Sequence, residues 1–149
     1  MTYELAYLLV HLMVVPAWLL LFFAPRRAIT RRLVHSALVP LCLGVIYAGL
    51  VFAGVVLGRT APGSGVLSLG AVIALLTHPN GALAGWIHYL IHDLFIGAWI
   101  ARDAARRGIS HAANLPALVF AFGFGPIGLM IHLLQRRLAG RAGFRLDET

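Results

Sequence analysis

Apolar residues run along this chain in four blocks, separated by short polar stretches that carry most of the arginines. A transmembrane helix needs roughly 20 mainly apolar residues. The blocks fall at about residues 5–23, 34–57, 84–102 and 114–135, and the pattern predicts a helix over each. No alternating segments of about ten residues recur, so a transmembrane β-barrel is not expected. Between the second and third blocks, the glycines and Pro62 mark a loop. Val66 to Leu76 is apolar but too short to span, which predicts an interfacial or re-entrant half-helix or a packed connector. His78-Pro79-Asn80-Gly81 reads as a turn before the third block. The expected fold class is all-α: an integral membrane bundle of four transmembrane helices with a short apolar half-helix between the second and third. It forms a single membrane domain over 1–149, with a polar tail over 138–149.

Composition agrees with that pattern. Of the 149 residues, 60% are hydrophobic and 11% charged, too little polar surface for a soluble domain of this size. The 12 basic residues are all arginine against five acids, a net charge of +7. They sit at the ends of apolar runs and form no aromatic-interleaved patch, so membrane lipid, not nucleic acid, is the expected partner. Cys42 is the only cysteine, which excludes an intramolecular disulfide. The N-terminal stretch has no basic n-region and no small-residue cleavage site, so the first block reads as a retained span. With four spans, the loops carrying Arg26, Arg27, Arg31 and Arg32 and then Arg102, Arg106 and Arg107 share one side, which the positive-inside rule makes cytoplasmic. That arrangement sends Arg136, Arg137, Arg141 and Arg145 to the opposite side, against the rule. Both termini are then expected outside. Gly-rich faces allow a homo-oligomer.

The third block, GWIHYLIHDLFIGAWIARD, holds the candidate chemistry. An ionisable group in a membrane span is costly, and is usually functional or paired inside the bundle. At 100° per residue, His88, His92, Phe95, Trp99 and Asp103 form one stripe, and Asp93 projects from a second aspect. Both aspects are expected to face other helices, as a site or as polar glue between helices. His88 and His92, at i and i+4, could also grip a metal ion or haem, with His11 or His132 closing the site. Two ligands do not complete a coordination sphere. In the fourth block, Pro126 within GFGPIG predicts a kink, either tightly packed or opening a groove for a long apolar ligand.

The runs LAGWIHYLIHDLFIGAWIARDAARRGI and LPALVFAFGFGPIGLMIHLLQR resemble the abscisic-acid-deficient-four-like family. VVPAWLLLFFAP and the stretch from Leu67 to Pro79 add to the resemblance, which covers about residues 10–137. The matching positions are Trp86, His88, Asp93, Leu94, Phe95 and Asp103, with Gly125, Pro126 and Gly128 in the fourth block; His92 departs from the plant pattern. Plant members of the family serve the conversion of violaxanthin to neoxanthin. The resemblance therefore implies a multi-pass membrane protein handling a carotenoid or other isoprenoid. Opening a carotenoid epoxide to an allene is redox-neutral and needs only an acid and a base, hence no cofactor. On this reading His88, Asp93 and Asp103 are the catalytic candidates, and Trp86, Phe95, Trp99 and Pro126 hold the ligand. The rivals are a non-catalytic carotenoid- or lipid-binding protein that assists a partner, and a haem or metal protein using His88 and His92. The Arg- and Ala-rich makeup looks bacterial, which implies the inner membrane.

Overall fold

The computed structural model describes residues 2–141 together with Phe144 and Leu146. The rest of the polar tail, Arg145 included, lies outside the described residues. Seven helices and no strands occur among them: α1 (Tyr3–Phe23), α2 (Ala28–Leu33), α3 (Leu38–Val55), α4 (Leu69–Thr77), α5 (Pro79–Arg106), α6 (His111–Gly123) and α7 (Gly125–Leu138). Three stretches are long and apolar enough to cross a membrane: Tyr3–Phe23, Ala28–Val55 and Pro79–Arg106. Their surfaces expose large hydrophobic side chains, such as Leu12 at 70%, Val45 at 74% and Val55 at 80%. Such faces are what lipid, not water, solvates.

The chain divides into two compact units, and α1, α5 and the first residues of α3 are shared between them. The first comprises Met1–Met13 and Pro40–Ile91. The half-helix expected over Val66 to Leu76 forms as α4, which starts where the Ser68 hydroxyl accepts the Ala71 N–H at 3.2 Å. The turn expected at His78-Pro79-Asn80-Gly81 is shorter than anticipated, because α5 already begins at Pro79. Proline suits a first helical position, where its missing N–H has no intrahelical role. Asn80 is 2% exposed, and its Nδ2 donates to the Leu50 carbonyl at 2.8 Å, tying the start of α5 to α3.

The second unit comprises Val14–Val39 and His92–Thr149. Trp18, Leu21, Leu94, Ile100, Ala117, Leu118 and Ala121 are buried in it. Thr30, also buried, donates its hydroxyl to the Ala24 carbonyl at 2.6 Å and holds the short α2 against the end of α1.

The fourth apolar block departs from expectation here. It is not one helix but two, broken at Phe124 with φ −151° and ψ 70°. Pro126 sits in the first turn of α7, so it opens a new helix and does not kink an existing one. The two helices fold back on each other. Gly128 meets Ala121 and Ala117, His132 meets Asn114, and Gln135 Nε2 donates to the Ala113 carbonyl at 2.9 Å. Those pairings diverge from Phe124 in register, so α6 and α7 form an antiparallel hairpin. A Cβ on Gly128 would come within 2.5 Å of the Ala121 backbone nitrogen and 2.6 Å of the Ala117 oxygen, so only glycine permits this approach.

Candidate functional site

The hairpin delivers its polar side chains to α5. Asp93 meets Gly125, Trp99 meets His132, and Asp103 meets Arg136. The near-constant spacing along both helices means that α7 runs parallel to α5 within this unit. Two polar centres result.

The first surrounds Asp103, which is fully buried. Arg107 Nε donates to both carboxylate oxygens, at 2.9 and 3.1 Å. Arg136 Nη1, also fully buried, donates to Oδ2 at 2.9 Å, and Arg106 Nη2 lies 3.6 Å from Oδ1. His132 Nε2 donates to Oδ2 at 2.9 Å, and its Nδ1 lies 2.9 Å from Asn114 Oδ1. Trp99 closes the cluster, edge-on to His132 at 5.6 Å and beneath the Arg136 guanidinium at 5.7 Å. A buried carboxylate with this many donors is held firmly in place, each donor occupying one of its lone pairs.

The second centre is Asp93, 2% exposed. Its Oδ1 accepts the Gly125 N–H at 3.0 Å, at the N-terminal end of α7. A carboxylate there meets an otherwise orphaned amide and the positive end of the helix dipole. A Cβ on Gly125 would collide with that oxygen, which accounts for the glycine.

The first unit carries a different feature, a groove of about 670 Å³ bounded by α3, the 57–68 loop, α4 and α5. Its walls include Leu50, Val51, Val55, Val66, Leu75 and Leu76, and its polar lining includes Tyr47, Thr60, Ser64, Asn80 and His88. The Tyr47 and His88 rings are 5.7 Å apart. Asn80 Oδ1 is buried without a hydrogen-bond partner, an acceptor on the groove wall.

The ABA DEFICIENT 4-like family matches residues 5–132. The chain belongs to the ABA4-like family. No curated protein and no solved structure matches it. Family membership and the apolar helices together fit a membrane protein.

Against this ABA4-like background, the anticipated site residues separate. His88 lines the groove of the first unit, while Asp93 and Asp103 belong to the second unit with the partners given above. Of the expected ligand contacts, Trp99 is 9% exposed and packs on the Asp103 cluster, Phe95 is 58% exposed, and Pro126 is exposed at the head of α7. Trp86 is 40% exposed and donates its indole N–H to His11 Nε2 at 3.3 Å, while His11 Nδ1 donates to the Tyr7 carbonyl at 2.8 Å. His11 and His132 are thus engaged elsewhere than with His88. No cluster of three or more His, Cys, Asp or Glu able to hold a metal occurs among the described residues. The expectation that both polar aspects of α5 are covered by helices holds for Asp93 and Asp103. It fails for His88 and His92, which are both exposed, as is Phe95 between the second of them and Trp99.

Sequence reasoning missed Arg136, Asn114, Tyr47 and Asn80. Arg136 reads as the end of a span, and only the fold-back of α7 turns it inward. The i, i+4 spacing of Asp103 and Arg107 was a usable signal for one ion pair.

Proposed function

We propose that this chain is a multi-pass membrane protein that takes an oxygen-bearing isoprenoid, a carotenoid above all, into the groove of its first unit. There it isomerises the ligand without a cofactor. The observation that carries this reading is the groove itself, an apolar trough with one imidazole and one phenol side by side and a buried amide oxygen in its wall. Its volume of about 670 Å³ is within the usual range for a small-molecule site. The Asn80 oxygen would accept a ligand hydroxyl. For an epoxide, the Tyr47 hydroxyl would protonate the ring oxygen while His88 removes the proton from the polyene carbon, leaving an alcohol and an allene. Asp93 and Asp103 then act as positioning residues for the hairpin.

The test is conversion of an epoxy-carotenoid by purified protein in mild detergent, followed by chromatography and absorption. His88→Ala and Tyr47→Phe are expected to bind pigment and lower turnover by 10²-fold or more, about the contribution of one general acid or base. Asp93→Asn keeps an acceptor for the Gly125 N–H and is expected to retain most turnover. Loss of turnover in a folded, pigment-binding Asp93→Asn protein would move the chemistry to the aspartate.

A second reading, binding without turnover, is favoured by the groove's own lining, in which Tyr47 and His88 are the ionisable side chains and no carboxylate occurs among the described residues. Pigment retained unchanged by the wild-type protein would select it.

A further inference from the structure

We propose that the first unit carries a second binding site, where α1 and α5 begin, for an organic ammonium of the kind a phospholipid amine headgroup presents. The site is a cavity of about 430 Å³, lined by Tyr3, Glu4 and Tyr7 of α1 and by Trp86 of α5 among smaller apolar residues. It shares no lining residue with the groove of the same unit. Three aromatic rings and one carboxylate, with no arginine among the lining residues, form the combination that recognises a cation through ring faces. A hydrocarbon ligand would leave the carboxylate unused, and an anion would be repelled by it. In a chain of net charge +7, Glu4 is the one exposed acid among the described residues, and it has no ion-pair partner among them.

Groups around the cavity that could carry a competing positive charge are accounted for. The Trp86 N–H donates to His11 Nε2 at 3.3 Å while His11 Nδ1 donates to the Tyr7 carbonyl at 2.8 Å, which makes His11 a neutral imidazole. His78 Nδ1 accepts the Asn80 N–H at 3.1 Å, so His78 is neutral as well. Arg59 lines a separate cavity that has only Tyr3 in common with this one. Two helices begin here, and their positive ends oppose a cation. Glu4 in the first turn of α1 offsets one of them, and on α5 Pro79 has no N–H and that of Asn80 is spent on His78. The rings are also held in place. Tyr89 stacks on the Trp86 indole at 5.6 Å, and His78 meets Tyr3 edge-on at 6.4 Å. Tyr7 and Trp86 remain 42% and 40% exposed, so each ring keeps surface for a ligand. Both α1 and α5 are long and apolar enough to cross a membrane, and the cavity lies where each begins, the depth of lipid headgroups. Tyrosine and tryptophan are common there as anchors, but an anchor does not require an unpaired carboxylate among the rings.

The experiment is thermal unfolding of the full chain in an uncharged detergent at constant ionic strength. Choline is titrated against dimethylbutanol, which has the same shape with carbon in place of the charged nitrogen. Phosphatidylcholine is titrated against phosphatidylglycerol in mixed micelles. Stabilisation by phosphatidylcholine, beyond that by phosphatidylglycerol and without an effect of free choline, assigns the site to a lipid headgroup. Stabilisation by choline, beyond that by dimethylbutanol, assigns it to an ammonium that also binds from solution. In either case Tyr7→Leu and Glu4→Gln, both at exposed positions, are each expected to weaken the apparent affinity about fivefold. The proposal is overturned if choline does no more than dimethylbutanol and phosphatidylcholine no more than phosphatidylglycerol, or if both variants respond as the wild type does.

Discussion

Asp103 is the residue on which the second unit turns. Its carboxylate gathers Arg107, Arg136 and His132 within 3.1 Å, and both it and Arg136 are fully buried. Removing one member of such a group costs more than the group contributes, because the remaining charges stay buried without compensation. Asp103→Asn is therefore expected to lower stability by about 3–5 kcal/mol, read as a drop in unfolding temperature in detergent. An unchanged unfolding temperature would show that the arginines find water. The chain's own residues foretold that Asp103 was special, since a carboxylate near the end of an apolar helix demands a partner. The i, i+4 spacing to Arg107 offered one partner a turn away, although Arg107 reads first as a loop arginine. Arg136 and His132, about 30 residues further along, were out of reach of any local rule.

At the scale of elements, the decisive feature is the hairpin of α6 and α7. Hydropathy alone reads 114–135 as one span, because it averages over the break at Phe124. Each arm is too short to cross: 13 and 14 residues reach only about 20 Å, against a hydrocarbon core of about 30 Å. Glycine makes the fold-back possible, and Asp93 caps the returning helix. Gly128→Leu is expected to force the arms apart and cost about 1–3 kcal/mol, the usual penalty of overpacking. It should also raise protease susceptibility near Phe124, whereas Gly123→Leu, with open space around its Cβ, should do neither. Equal behaviour of the two variants would mean that the arms do not pack.

For the molecule as a whole, the hairpin changes the expected topology. An arm that goes in and comes back returns the chain to the side from which it left. Arg136, Arg137 and Arg141 then lie at the same end of the second unit as Arg102, Arg106 and Arg107, the arrangement the positive-inside rule calls for if α5 spans the membrane. A reporter fused after the C-terminus and one inserted between α1 and α2 are expected to respond from the same side, the cytoplasm. Opposite responses would restore a fourth span. What the amino-acid sequence determined by itself was solvent and class: its long apolar runs, its arginine placement and its family pattern demand helices with hydrocarbon on their outside, for burial of backbone amides in lipid leaves no other choice among the described elements. It also located the expensive groups, since any ionisable residue within such a run stands out. Only the tertiary structure decided what those groups touch. Whether Asp93 meets a substrate or the head of α7, and whether His88 faces lipid or a groove with Tyr47, depends on contacts between residues tens of positions apart. Those contacts follow from the close approach allowed at a few glycines, which no periodicity along the chain records.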